Sequence, residues 1–151
     1  MDDPLKLAKK LLAEMVSAWD EPEADRLDAQ VAVSSLRQAV RALQGVQWGY
    51  LATITGLDRG EEQHRFEVLY HFCSGSAVLT LRITPSDDAP EIPSICDILP
   101  YATVFEREVG EMFGIKFDGT PDTSRLFLAD DWPEDVFPLR KDFEGMGDER
   151  K

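Results

Sequence analysis

Leu99–Gly114, LPYATVFEREVGEMFG, constrains the fold more than any other stretch of this 151-residue chain. Pro100 stands where a helix starts without wasting a backbone donor, and Gly114 where one stops. Between them Phe105, Val109, Met112 and Phe113 recur at i, i+4, i+7 and i+8, which makes one apolar stripe. Glu106, Arg107, Glu108 and Glu111 are expected on the opposite surface. Arg107 and Glu111 lie one turn apart and are spaced to pair, whereas Glu108 and Glu111 crowd two negative charges. Crowded carboxylates call for cations, and the segment that follows supplies Lys116, Arg125, Arg140 and Lys141.

Upstream, Asp3-Pro4 is a cap and first-turn pair. Leu5, Ala8, Leu12, Met15, Val16 and Trp19 then line one face of a helix, and the acidic Asp20–Asp25 segment with Pro22 reads as a linker. Leu27, Ala29, Val31 and Val33 alternate as a short strand. Ser35 and Gln38 have capping-box spacing for a second helix that carries Leu36, Ala39, Val40 and Leu43 inward and stops at Gly45. Three strands are expected next: Trp48–Thr55, a run in which Phe66, Val68, Tyr70 and Phe72 alternate, and one with Ala77, Leu79, Leu81 and Ile83 on one face. Gly56–Glu62 and Ser74-Gly75 are the turns, and three prolines between Pro85 and Pro93 end the sheet. The pattern predicts an α+β fold with a mixed or antiparallel sheet of about four strands and helices packed on it.

After Gly114 the periodicity fades. Asp118–Asp122 is a turn cluster, and Pro133 and Pro138 forbid a long helix. The segment nevertheless keeps Phe117, Leu126, Phe127, Leu128, Trp132, Phe137, Leu139 and Phe143. A long stretch without elements is unusual inside a domain, and one loaded with aromatics is not a disordered tail. It has to wrap its own sheet or a partner, and the partner is the favoured reading. The expected division is an α+β domain over residues 1–114 and an extended C-terminal arm over 115–151 that docks on partner subunits.

The formal net charge of −13 argues against nucleic acid, which needs a basic stripe. A basic neighbouring subunit fits better, with plain solubility from an acidic surface as the simpler alternative. Cys73 and Cys96 form no CxxC motif and are read as reduced, packed thiols. Met1-Asp2-Asp3 lacks a basic signal-peptide start, and no run reaches the length of a membrane helix, so membrane attachment would come through another chain. The acidic helix puts its carboxylates on one surface rather than on opposed walls, which disfavours acid–base catalysis. His64 and His71 are seven residues apart in one strand and face opposite ways, so they do not converge on a metal. Phosphate loops, nucleophile elbows and dinucleotide fingerprints are absent. No catalytic, cofactor-binding or metal-ligating residue is therefore expected in this chain. Gly110 inside the helix marks either the close approach of another backbone or a tolerated defect costing about 1 kcal/mol relative to Ala. Arg140-Lys141-Asp142-Phe143 is either an exposed charged terminus or a docking motif, an arginine beside aromatics being a common interface hot spot.

Several ordered blocks resemble the 30-kDa subunit family of respiratory complex I, the NADH:quinone oxidoreductase, in which it is also known as the C subunit. They are Arg65–Phe72, Ile92-Pro93-Ser94-Ile95, Glu106-Arg107-Glu108-Val109, Met112-Phe113-Gly114-Ile115, Phe117, Gly119, Pro121-Asp122, and Asp131-Trp132 through Pro138–Phe143. The resemblance runs from about Val46 to Phe143. The chain departs from the family pattern at Gly110-Glu111, where an aromatic and Asp usually follow Glu-Arg-Glu-Val. It departs again at Thr120, where His usually precedes Pro-Asp, and at Ser124-Arg125, where Arg-Arg is usual. In these points it is similar to homologous subunits of membrane-bound [NiFe] hydrogenases and of coenzyme F420-dependent (F420H2) dehydrogenases.

The resemblance implies a non-catalytic scaffold in the peripheral arm of a respiratory-chain electron-transport complex, on the cytoplasmic face of the membrane. Such a scaffold holds no redox centre. Its partners are the hydrogenase-like large subunit and the iron–sulfur small subunit, with the ion-translocating membrane arm reached indirectly. Iron–sulfur clusters, and a NiFe centre or FMN according to the enzyme, belong to those partners. The expected interface residues are Glu106, Arg107, Glu108, Arg125, Arg140 and Lys141, anchored by Phe113, Trp132 and Phe143. Two readings of other classes stay beside this one: a stand-alone enzyme using the acidic helix, and a stand-alone acidic adaptor for basic proteins.

Overall fold

Asp3 starts the first helix as its sequence suggests, its carboxylate accepting the Leu5 N–H at 3.0 Å with Pro4 in the first turn. In the computed structural model of the chain, which describes residues 3–60, 66–86, 88–120, 126–128, 131–133, 136–141 and 143, this helix α1 covers only Pro4–Leu12. The expected continuation to Trp19 does not form. The chain turns at 13–15, and Val16–Glu23 is strand β1. It pairs antiparallel with β2 (Arg26–Val31), Val16 against Val31 and Trp19 against Ala29. Val16 and Trp19 fit either period; pairing along β2 decides, and Trp19 still packs on the core from the strand. The expected acidic linker is thus the end of β1 and its turn into β2.

A 3-10 turn at Val33–Ser35 leads into α2 (Leu36–Gly45). The capping box is not made: Ser35 has helical dihedrals and its side chain caps nothing. Gly45 stays helical, and the left-handed residues come later, at Gln47 and Gly49. Gly49 is the glycine the turn requires, because a Cβ there would stand 1.9 Å from the Cys73 carbonyl oxygen. The Trp48 indole N–H donates to the Pro4 carbonyl at 2.8 Å and ties the end of α2 to the start of α1.

Strands β3 (Tyr50–Asp58), β4 (Phe66–Ser74) and β5 (Ala77–Ile83) follow as antiparallel neighbours. Gly56, Leu57 and Asp58, expected in the turn, lie inside β3; the last two residues of that turn, 61 and 62, lie outside the described residues together with His64 and Arg65. The main sheet has five strands in the order β1-β2-β5-β4-β3, with β2 and β5 parallel. The strand beyond the expected four is β1. A second, two-stranded sheet pairs β6 (Glu91–Pro93) with β7 (Lys116–Asp118), in parallel, on either side of α3 (Ala102–Phe113).

The three described helices cover one face of the main sheet. Leu27, Ala29 and Val31 of β2, Leu79, Leu81 and Ile83 of β5, and Val68, Tyr70 and Phe72 of β4 meet Ala8, Leu12, Leu36, Val40, Leu43, Val109 and Phe113 there in one core. Helix α3 begins two residues after Pro100 and ends as expected at Gly114, whose φ is +77° and whose N–H returns to the Gly110 carbonyl at 2.9 Å. Its buried stripe differs from the expected one. Ala102, Glu106, Val109 and Phe113 point inward, while Phe105 and Met112 are only half-buried. Among the described residues no helix is long and apolar enough to cross a membrane.

Candidate functional site

Glu106, expected on the charged outer surface of α3, is the most deeply buried carboxylate of the described residues, at 1% exposure. One oxygen accepts from the Ser94 hydroxyl at 2.7 Å, the Thr120 hydroxyl at 2.7 Å and the Cys96 thiol at 3.1 Å. The other accepts the Ile95 N–H at 2.8 Å. Four neutral donors thus fill the roughly four acceptor sites of a carboxylate. They come from the loop after β6 and from the residues just after β7, so one side chain of α3 holds both flanks of the small sheet. The loop is fixed further by the Cys96 N–H on the Ser94 hydroxyl at 3.1 Å and the Ser94 N–H on the Asp118 carbonyl at 2.7 Å.

Arg37 of α2 grips the same loop from outside. It donates to the Ser94 carbonyl at 2.5 Å and makes two bonds to the Asp97 carboxylate, at 2.7 and 2.6 Å. Those bonds pull the Asp97 carboxyl down to about 2 and raise the Arg37 guanidinium in turn. Burial, with Glu106 adding to it, pushes the Cys96 thiol up to about 11, which keeps it a donor. Burial and then the Glu106 charge raise the Tyr70 phenol well above its ordinary 10, and its buried hydroxyl has no hydrogen-bond partner among the described residues. With its acceptor sites spent on protein donors, Glu106 holds structure.

The C-terminal half of α3 receives the tail. Helix ends leave carbonyls unsatisfied, and here the tail supplies the donors: the Leu139 N–H reaches the Met112 carbonyl at 3.0 Å and the Arg140 Nε–H the Phe113 carbonyl at 2.6 Å. The Arg140 guanidinium also lies over the Phe137 and Phe66 rings, at 4.5 and 5.0 Å. Glu111 accepts the Leu126 and Phe127 N–H groups at 3.0 and 2.8 Å, and Asp58 accepts the Lys141 N–H at 2.7 Å. A Cβ on Gly114 would come within 2.5 Å of Phe137 and 2.7 Å of Arg140, so this glycine serves both the left-handed turn and the seat of the tail. Gly110 does face a close backbone, that of Ile115 in the same chain, 3.1 Å from where its Cβ would be. Leu126, Phe127, Leu139, Arg140 and Lys141 of the tail thus contact the body.

The sequence-selected residues fall into separate groups. Phe113 is buried against Gly56 and shares its carbonyl with Arg140. Trp132 and Phe143, both half-buried, pack ring to ring at 6.1 Å, and the Trp132 indole donates to the Val136 carbonyl at 2.7 Å. Glu108 and Lys141 are exposed and Arg107 is half-buried. Arg125, with Pro121, Asp122 and Ser124, lies outside the described residues. Glu106 joins none of these; it belongs with Ser94, Cys96 and Thr120, partners the sequence reading did not assign. The signal was available, since residue 106 shares the i, i+4, i+7, i+11 spacing of 102, 109 and 113.

A second buried carboxylate lies on the other side of the main sheet. Glu67, 2% exposed, receives two bonds from Arg82 at 2.8 and 2.7 Å and a contact from Arg59 at 3.2 Å; Arg82 also reaches Asp28 at 3.4 Å. Next to it, His71 places its ring nitrogens 3.0 Å from the Thr80 hydroxyl and 3.2 Å from that of Thr55. Among the described residues no group of three or more His, Cys, Asp or Glu side chains is placed to hold a metal ion.

Comparison with known proteins adds three findings. The family described as "Respiratory-chain NADH dehydrogenase, 30 Kd subunit" matches residues 29–149. The C subunit of the NADH-quinone oxidoreductase of Ruegeria pomeroyi is 38% identical over 140 residues, 89% of this chain and 68% of that protein. Formate hydrogenlyase subunit 5 of Escherichia coli is 36% identical over 83% of this chain, and the joint C/D subunit of the NADH-quinone oxidoreductase of Phocaeicola vulgatus 40% identical over 71%. The chain spans only 22% and 20% of the length of those two. Among solved structures, a chain of the archaeal membrane-bound sulfane sulfur reductase superposes with a TM-score of 0.80 at 22% identity, over 99% of this chain and 90% of that one, a likeness of fold.

Proposed function

This chain belongs to the family of the 30-kDa subunit of the respiratory-chain NADH dehydrogenase, and we propose that it serves as a non-catalytic scaffold in the peripheral arm of a complex I-type oxidoreductase. In this reading it seats the hydrogenase-like large subunit and the iron–sulfur small subunit on the cytoplasmic face of the membrane, and electrons pass through clusters in those neighbours. The observation that carries it is the joint C/D relative, in which a region like this chain is 20% of a longer polypeptide named for two subunits. Fusion keeps in one chain what otherwise has to find its neighbour by binding.

The geometry supports one docking side. The tail is seated on α3 through its backbone and Arg140, so Phe127 and Leu139, 59% and 57% exposed, are presented outward on a rigid base. Glu108 and Lys141 add exposed charges, and Arg107, Trp132 and Phe143, all half-buried, belong to the interface we assign; Arg125 completes the set from the sequence. Glu106 and Phe113 support that interface from within instead of touching a partner. Apolar and aromatic anchors of this kind dominate binding energy when a partner covers them.

The test is co-purification. The full chain carrying an affinity tag, expressed in its own host, is expected to bring down a cluster-bearing small subunit and a hydrogenase-like large subunit in equal amounts. Recovery of the chain alone from solubilised membranes contradicts the reading. A second reading, the equivalent subunit of an energy-converting hydrogenase or F420H2 dehydrogenase, is favoured by the match to formate hydrogenlyase subunit 5. Membranes from a deletion strain separate the two: one loses NADH:quinone activity, the other hydrogen evolution or F420H2 oxidation.

A further inference from the structure

The helices occupy one face of the main sheet, and no described element covers the other. The register shows what that open face presents, because directly paired residues share a side. At its β3 edge stand Tyr50 and Leu57, 61% and 36% exposed, paired with Cys73 and Glu67. Its middle holds Thr53, His71, Thr80 and the Glu67–Arg82 pair. At the opposite edge β1 and β2 bring Asp20 against Asp28; Glu21 of this hairpin is taken by Lys9 of α1, which leaves Asp20, Glu23, Asp25 and Asp28 against the hairpin's single base, Arg26. A cavity of about 270 Å³ opens there, lined by Asp20, Asp28, Gln30, Arg59, Glu67 and Arg82. Within it Glu67 is held by two arginines, whereas among the described residues Asp28 has only the 3.4 Å contact to Arg82, and Asp20 is exposed.

We propose that this open face is a second docking surface, and that its occupant is a neighbouring subunit of the same complex whose surface carries arginine or lysine over the β1–β2 corner and apolar side chains over Tyr50 and Leu57. The proposal rests on the scaffold reading above and is carried by charge complementarity. Four interstrand steps separate the two edges, so the occupant's basic and apolar ends stand roughly 19 Å apart. An anionic lipid surface is a poor fit, since it is repelled by the corner that a basic protein would seek.

The experiment uses the full chain with the assembly purified from a strain lacking it as the probe, association being followed at 50 and 300 mM KCl. Wild type is expected to bind at least tenfold more weakly at the higher salt. Asp20→Lys with Glu23→Lys, both exposed positions, is expected to weaken binding about tenfold at low salt and to flatten the salt dependence, and Tyr50→Ser to weaken binding about threefold with the salt slope unchanged. Circular dichroism confirms that the variants fold. Wild-type binding that is indifferent to salt, or charge-reversed variants that bind like wild type, overturn the open-face surface and leave the scaffold reading standing. Failure of wild type to bind at either salt overturns both. Binding of the chain to phosphatidylglycerol vesicles at 50 mM KCl, comparable to its binding to the assembly, also overturns the proposal.

Discussion

The two sides of the main sheet treat a buried carboxylate in opposite ways. On the helix-covered side Glu106 is held by two hydroxyls, a thiol and a backbone amide, with no cation bonded to it among the described residues. On the open side Glu67 is held by two arginines that keep one foot in solvent, Arg82 at 27% and Arg59 at 51% side-chain exposure. Neutral donors fixed in one place organise a loop, because every one of them loses its partner if the carboxylate leaves. Arginines at a surface can turn back to water, so their network is cheaper to break. The first arrangement suits a framework that positions a docking side, the second a surface able to exchange partners.

That difference is open to attack by substitution. Glu106→Ala strands four donors and is expected to cost about 3–5 kcal/mol in urea unfolding. Glu67→Ala is expected to cost only about 1–2 kcal/mol, since its arginines recover water; equal losses at the two sites would erase the contrast. The next effect is in pH. Burial, and after it Arg26, lowers the His71 pKa below 6.5, with Asp28 opposing, and the Thr55 and Thr80 hydroxyls flank the ring. A depressed histidine contributes stability that is complete above its unfolded pKa and is lost as pH falls through the folded one. Melting temperature is therefore expected to drop between pH 7 and pH 5 more steeply in wild type than in His71→Asn. Tyr70, next in sequence but facing the helices, should respond in the other direction. Its hydroxyl is buried without a partner among the described residues, so Tyr70→Phe is expected to be neutral or stabilising by up to about 1 kcal/mol. A loss above that would reveal a partner for the phenol. The smallest effect is chemical: iodoacetamide at pH 8 should label half-buried Cys73 on the open side about tenfold faster than buried Cys96, whose thiol is held up to about 11.

Legibility from sequence followed how local the cause was. Helix α3 and its Gly114 stop were readable because the proline before it and the glycine after it lie within one segment, although its buried stripe is not the expected one, and β4 and β5 because apolar residues alternate along them. Strand β1 was missed because Met15, Val16 and Trp19 continue the spacing of α1, while the β2 partner that overrules it lies a hairpin away. The three-residue strands β6 and β7 are too short to show a period. Glu106 was placed outside on its charge alone; its spacing from Ala102, Val109 and Phe113 already put it inside, and only the fold supplies Ser94, Cys96 and Thr120 to make that tolerable. The tail contacts were illegible for a related reason, since the Met112 and Phe113 carbonyls that recruit Leu139 and Arg140 belong to every helix end and carry no sequence mark.

The central claim, that Glu106 builds a scaffold and takes no part in turnover, is tested most directly in assembled complexes carrying Glu106→Gln. Membranes from the variant strain are assayed both for the amount of intact complex on native gels and for oxidoreductase turnover per complex. The account predicts a severalfold fall in assembled complex with turnover per complex unchanged. Normal assembly with turnover lost would contradict it.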